Sequence, residues 1–156
     1  MIKVKTANLY ASNEDLLTIS SDDEEMSRFQ YKCEKEVASM KSERFGNSSI
    51  SFYDVLTKGI SQLAIYAGNK SIVQVFKSDD WKVKFPIYDG MINCQFKKGR
   101  RRKELLDQGS TIFQFFFNNF LGLPYYCTEK IFSYLSDEDL RTLMDACRPI
   151  SISSPT

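Results

Sequence analysis

The chain has 156 residues, of which 42% are apolar and 26% charged, and its formal net charge is +1. This composition is typical of a folded domain and excludes a largely disordered chain, and the near-neutral charge gives no overall attraction to nucleic acid or membrane. The absence of histidine excludes Ser-His-Asp and Cys-His catalysis and zinc sites that need histidine. We therefore expect no enzyme activity, no cofactor and no metal.

The first half of the chain predicts short helices. Ser21 and Glu24 form a capping-box pattern, and an apolar stripe at helical spacing follows until Gly46. That stripe consists of Met26, Phe29, Cys33, Val37 and Met40. A second start signal at Ser51 predicts another helix, and residues 60–67 predict a third. The stretch 71–76 is rich in β-branched residues, but we favour a helix because no second strand-like run is available to pair with it.

The second half predicts an irregular segment at 77–100 and then a long apolar helix at 101–121. Gly122 ends that helix, and Pro124 fits the first turn of the next one. Ser136 caps a last helix, which Pro149 ends. The resulting fold class is all-α, a single compact domain of about six to eight helices.

A basic run, KKGRRRK, occupies 97–103. It is interpreted in two ways, as a solvated loop and first helical turn, or as a nuclear import signal or phosphate-binding patch. The residues of this patch would be Lys97, Lys98, Arg100, Arg101, Arg102 and Lys103. Aromatic residues are not interleaved with these charges, so base stacking is poorly supported and nucleic acid is not the partner we favour.

Four cysteines, Cys33, Cys94, Cys127 and Cys147, are too widely spaced for a disulfide framework, so we expect buried free thiols. The N-terminus has no apolar core of a signal peptide, and the most apolar run, 112–123, is too short for a membrane span. These features predict a cytoplasmic or nuclear protein without a membrane partner.

The stretch LPYYCTEKIFSYLSDEDL at 123–140 resembles the first half of the F-box, the helical module that docks on the Skp adaptor of cullin-based (SCF) ubiquitin ligases. The resemblance implies that a set of matching positions contacts or orients the adaptor. These are Leu123, Pro124, Ile131, Phe132, Leu135, Asp139, Leu140 and Leu143. If they lie at the end of the chain, their apolar side chains would form an exposed patch of the kind that marks partner sites.

Residues 33–56, FPIY at 85–88 and the F-box-like end together resemble the PRANC domain, which ends many poxvirus ankyrin-repeat proteins. This resemblance spans roughly residues 25–150. It implies an all-helical domain that recruits the host ligase in the ubiquitin conjugation pathway, with ankyrin repeats upstream choosing the target. We accordingly expect a weakly ordered segment at 1–20, a PRANC-like domain at 21–150 with an F-box-like unit at 122–148, and a tail at 151–156.

The sequence departs from the family pattern at three points. Tyr126 stands where F-boxes commonly have an acidic residue, the third F-box helix is missing, as in PRANC proteins generally, and no ankyrin repeat is present. Either residues 1–100 hold an unknown cargo protein themselves, or the chain is a piece of a longer protein, or it acts as a decoy that occupies the adaptor. Outside the family, the alternatives are a nuclear or nucleic-acid-associated protein using the basic run and an oligomerising helical scaffold.

Overall fold

The computed structural model describes residues 3, 6, 7, 24–120 and 124–147, with the side chains of 113–120, 125, 128 and 129 outside the description. The described residues form eight α-helices and no sheet, with one isolated β-bridge between Arg44 and Ser51. The helices are α1 Glu24–Ser42, α2 Phe52–Thr57, α3 Ile60–Gly68, α4 Lys70–Ser78, α5 Asp80–Lys84, α6 Asp89–Phe120, α7 Tyr125–Tyr134 and α8 Asp137–Ala146. The predicted all-α class is confirmed.

The chain divides into two units of internal contacts, unit one at Met1–Arg100 and unit two at Arg101–Thr156. The boundary, between Arg100 and Arg101, falls within α6 and inside the basic run. Of the predicted N-terminal segment 1–20, three residues are described, and Ala7 is fully buried in unit one. The predicted tail 151–156 lies outside the described residues.

Unit one has an aromatic core built by short helices. The rings of Phe76 and Phe96 stack with their centroids 3.8 Å apart, and those of Phe52 and Phe85 are 4.8 Å apart. The capping box predicted at Ser51 is present, because the Ser51 hydroxyl accepts from the Asp54 N–H and the Asp54 carboxylate accepts from the Ser51 N–H. The helices predicted at 60–67 and 71–76 are present as α3 and α4.

The prediction of an irregular segment at 77–100 was wrong. Residues 80–84 form α5, and α6 begins at Asp89, twelve residues before the predicted start at 101. A buried carboxylate from α1 supports this early start. Glu36 accepts hydrogen bonds from the N–H groups of Ile87 and Tyr88, each at 3.0 Å, immediately before the first turn of α6. The Tyr88 N–H also donates to the Phe85 carbonyl at 3.2 Å. The Glu36 carboxylate thus adds an acceptor at a helix N-terminus, where N–H groups have few partners within the helix.

The buried side of α6 runs through the basic run. Ile92, Phe96, Gly99, Arg102, Leu105 and Gly109 are all buried, and they follow one another at spacings of three and four. Gly99 lies against α3, where a Cβ atom at this position would be 2.6 Å from the Leu63 carbonyl oxygen. The placement of the basic run in a loop and first turn was therefore wrong, since the run lies in mid-helix.

Unit two has a smaller core of Leu105, Phe132 and Leu140. Leu106, Leu135, Leu143 and Met144 pack around it and are half-buried. A Cβ atom at Gly109 would be in ordinary van der Waals contact with both Phe132 and Leu140, at 3.5 Å from each. This packing joins the middle of α6 to α7 and α8, the two helices of the F-box-like stretch.

The expectation that all four cysteines are buried was wrong. Only Cys33 is buried, whereas Cys94 is exposed and Cys127 and Cys147 are half-buried. Cys94 lies between the buried Ile92 and Phe96, and at about 100° per residue that position faces away from them. All four are free thiols.

Candidate functional site

The F-box-like stretch begins with a proline that precedes α7. Pro124 is the N-cap residue, with φ −59° and ψ 146°, and its carbonyl accepts a hydrogen bond from the Cys127 N–H at 3.0 Å. It is therefore one residue ahead of the first turn in which the sequence predicted it. Its side chain is exposed. Leu123 lies outside the described residues.

One side of α7 presents large apolar groups to solvent. Tyr126 is 71% exposed, Ile131 41% and Tyr134 77%. At about 100° per residue, these three positions fall within an arc of about 140°. Lys130 directly precedes Ile131, and its ammonium group lies 5.2 Å from the centre of the Tyr134 ring. We call Tyr126, Ile131 and Tyr134 the outer face of α7.

The opposite side of this helix pair belongs to the core of unit two. Phe132 and Leu140 are buried, and both pack with Leu105 of α6. Leu135 and Leu143 are half-buried against the same cluster. In this conformation Phe132 and Leu140 offer no surface to a partner, although the family resemblance implies that both contact or orient the adaptor. Among the described matching positions with a large apolar side chain, Ile131 is the one that is exposed.

The turn between α7 and α8 is fixed by a second capping box. The Ser136 hydroxyl donates to the Asp139 carboxylate at 2.6 Å and accepts from the Asp139 N–H at 3.1 Å, and the Ser136 N–H donates to that carboxylate at 2.9 Å. The bond from the Ser136 hydroxyl, and to a smaller extent the bond from the Ser136 N–H, lower the pKa of Asp139 below its ordinary value. The Asp139 carboxylate, which the resemblance implies contacts or orients the adaptor, thus caps the N-terminus of α8.

The basic run does not act as one patch. Lys97, Lys98, Arg100 and Arg101 are exposed, but Lys103 is half-buried and forms an ion pair with Asp107 one turn later. Arg102 is only 3% exposed. The structure therefore removes Arg102 from the surface that the sequence assigned to it.

The guanidinium of Arg102 lies against the α7–α8 turn, which we define as residues 135–137. Its Nη1 donates to Asp137 Oδ1 at 2.9 Å, and its Nη2 donates to the carbonyl oxygens of Phe132 at 3.2 Å and Leu135 at 2.5 Å. We call Arg102, Phe132, Leu135 and Asp137 the Arg102 cluster. The Nε of Arg102 is buried and has no hydrogen-bond partner among the described residues.

Sequence reasoning missed the Arg102 cluster because it treated all six charges of the run alike. A signal was nevertheless present, since Arg102 precedes Leu105 and Leu106 by three and four residues and so shares their side of the helix. A charge on the apolar side of a helix is expected to have buried partners. Tyr126 was likewise treated only as a departure from the family pattern.

The described residues contain no group of three Cys, Asp or Glu side chains placed to hold a metal ion. Among the described helices, none is long and apolar enough to cross a membrane. What the site offers is an apolar and aromatic surface on α7 supported by a buried polar cluster.

Comparisons of the chain with protein-family models, with curated proteins and with solved structures find no match. The resemblance to PRANC and F-box sequences therefore rests on the residues quoted above.

Proposed function

We propose that unit two is an F-box-like module that docks on the Skp adaptor of a cullin-based ubiquitin ligase through the outer face of α7. The observation that carries this proposal is the exposure of Tyr126, Ile131 and Tyr134 on one side of a short helix whose other side is anchored in the core. Exposed clusters of large apolar groups on a folded chain usually mark partner sites. The Leu-Pro that precedes α7 and the capped helix that follows it agree with the F-box pattern.

The proposed interaction is mainly apolar. Tyrosine is enriched among the residues that dominate binding energy at protein interfaces, and two tyrosines flank Ile131 in this arc. Burying the exposed part of the Ile131 side chain alone contributes about 1 kcal/mol. Lys130 adds one positive charge beside Tyr134, so the adaptor surface would be an apolar groove with an acidic group at its rim.

Two versions of this function differ in what unit one does. In the first, unit one holds a cargo protein and the ligase modifies that cargo. In the second, no cargo is held and the chain blocks the adaptor. Both versions place the adaptor contact on the same face of α7.

The test is an equilibrium binding titration of the full chain against purified Skp adaptor. Ile131→Asp should weaken binding at least tenfold, because it places a charge in an apolar contact. Ile65→Asp is the matched control, since Ile65 is 66% exposed on α3 of unit one and should not affect docking. A wild-type dissociation constant weaker than about 1 mM, equal affinities for the Ile131 variant and wild type, or equal losses in both variants would refute the proposal.

The salt dependence of binding separates this proposal from the alternative based on the basic run. Apolar docking should change little between low and moderate salt, whereas contacts with several phosphates lose orders of magnitude in affinity over that range. The burial of Arg102 and the ion pair of Lys103 reduce the charge that the run offers to phosphates.

A further inference from the structure

Arg102 is a charged side chain in a place where an apolar one would be expected. It belongs to the buried side of α6, between Gly99 and Leu105, and is 3% exposed. Burying a cation is costly unless its donors are satisfied by well-placed acceptors. The structure supplies three acceptors, all in the segment that ends α7 and begins α8.

The acceptors explain why the residue is an arginine. The last carbonyl groups of a helix have no partners within the helix and carry partial negative charge. Phe132 and Leu135 provide two carbonyls from the C-terminal end of α7, of which that of Phe132 also accepts from the Leu135 N–H. Asp137 provides a carboxylate from the first turn of α8. A planar guanidinium reaches all three at once, whereas the ammonium group of a lysine presents a single compact charge.

The outer face of α7 is directly attached to this cluster. Ile131 and Tyr134 each lie next to one of its residues in the chain, Phe132 and Leu135 respectively. The α7–α8 turn is otherwise fixed by the capping box of Ser136 and Asp139, which orders α8 but makes no bond to α6. Arg102 therefore ties α6 to the end of α7 through polar contacts.

We propose that Arg102 is a positioning residue for the docking surface. By binding the α7–α8 turn it keeps the last turn of α7, and with it Ile131 and Tyr134, in the geometry that a partner binds. This inference rests on the proposed function, because it names what orients the surface through which the adaptor is bound. Arg102 itself, being buried, does not touch the partner.

The two kinds of residue should differ in binding kinetics. When only a fraction of molecules has the competent geometry, the apparent association rate falls by that fraction, provided that opening and closing are fast. The dissociation rate stays the same, because the contacts in the complex are unchanged. Loss of a direct contact, as in Ile131→Ala, should instead raise the dissociation rate.

The experiment measures association and dissociation rates of full-length variants on immobilised Skp adaptor, at a temperature at which circular dichroism shows each variant to be folded. Arg102→Lys keeps the charge and loses the planar group, and Asp137→Asn removes only the ion pair, so the set does not depend on one variant that fails to fold. Arg101→Lys is the control, because it makes the same substitution one position away at a residue that is exposed. Hydrogen exchange of residues 132–140 is recorded in parallel.

We expect the association rate to fall at least fivefold in Arg102→Lys and about threefold in Asp137→Asn, with dissociation rates within twofold of wild type. Exchange at 132–140 should become faster in both variants and should stay unchanged in Arg101→Lys. Unchanged association in Arg102→Lys, or an equal loss in Arg101→Lys, would overturn the positioning role while leaving adaptor docking intact. A wild-type chain that does not bind the adaptor would overturn the proposed function, and this role with it.

Discussion

The close approach of α6 to α3 at Gly99 leads to a sharp prediction for a single added methyl group. A Cβ atom at position 99 would lie 2.6 Å from the carbonyl oxygen of Leu63 and 2.7 Å from its carbonyl carbon and Cβ. Since two of these three atoms are backbone, no change of rotamer relieves the contact. The helices must move apart, and the aromatic core beside them must repack.

We expect Gly99→Ala to lower the free energy of unfolding by about 2 kcal/mol, within the range of about 1–3 kcal/mol that overpacked sites show. In a helix free of such contacts, the same substitution would be favourable by about 1 kcal/mol. Gly90→Ala, in the first turn of α6, is a comparison without a clash and with a smaller gain, because a Cβ at Gly90 meets no atom within 4 Å. The two variants should therefore shift stability in opposite directions.

The assay is urea unfolding followed by the fluorescence of Trp81, the single tryptophan, which is buried in the same unit as Gly99. With a slope of about 2 kcal/mol per molar urea, the midpoint of Gly99→Ala should fall by about 1 M. Adding Leu63→Ala should not restore it, because the backbone and Cβ atoms of residue 63 remain. A midpoint equal to or above that of wild type would show that the helices do not approach so closely.

Two further predictions concern groups that cap helices. Burial, as the largest cause, raises the pKa of Glu36 above its ordinary value, although the N–H bonds from Tyr88 and Ile87 oppose this. The native state then keeps the Glu36 proton to a higher pH than the unfolded chain does, so the free energy of unfolding falls as pH rises from the ordinary glutamate pKa to the raised one. Urea titrations at several pH values should show this dependence in wild type. It should vanish in Glu36→Gln. Glu36→Ala should be less stable than Glu36→Gln by about 1–3 kcal/mol at every pH, because it leaves the Ile87 N–H without its acceptor and the Tyr88 N–H with the Phe85 carbonyl alone. Equal stability of the two variants would contradict the capping role. Ser136→Ala should lower the free energy of unfolding by about 0.5–2 kcal/mol, measured by thermal unfolding followed by circular dichroism. The pKa of Asp139 is lowered in the native state, so wild type loses stability as pH falls through that pKa. This loss in acid should be smaller in Ser136→Ala, because the hydrogen bonds that lower the pKa include the one from the Ser136 hydroxyl.

Local signals in the sequence were sufficient for several elements. The capping boxes at Ser51 and Ser136 were predictable because all of their partners lie within three residues. The start of α6 was not, because Pro86 and Gly90 look like helix breakers. The acceptor for the Ile87 and Tyr88 N–H groups comes from Glu36, about fifty residues earlier in the chain. A cap supplied from so far away leaves no local pattern to read.

The candidate site was predictable in position but not in the roles of its residues. The F-box-like pattern drew attention to 123–140, and α7 and α8 occupy most of that stretch. A pattern of apolar residues does not by itself distinguish those that pack inward from those that face a partner. That distinction depends on α6, whose Leu105 and Arg102 select which side of α7 is covered.

The burial of Phe132 and Leu140 concentrates the surface for a partner on one helix. The large apolar side chains that are exposed in the described part of unit two are Tyr126, Ile131 and Tyr134, all on α7. In this arrangement α8 supports α7, since Leu140 fills the core and Asp137 binds Arg102. A surface on one helix buries less apolar area than a surface on two, so each of its three residues must carry a larger share of the binding free energy. Single substitutions on the outer face should consequently be more damaging to docking than single substitutions on the exposed side of α8.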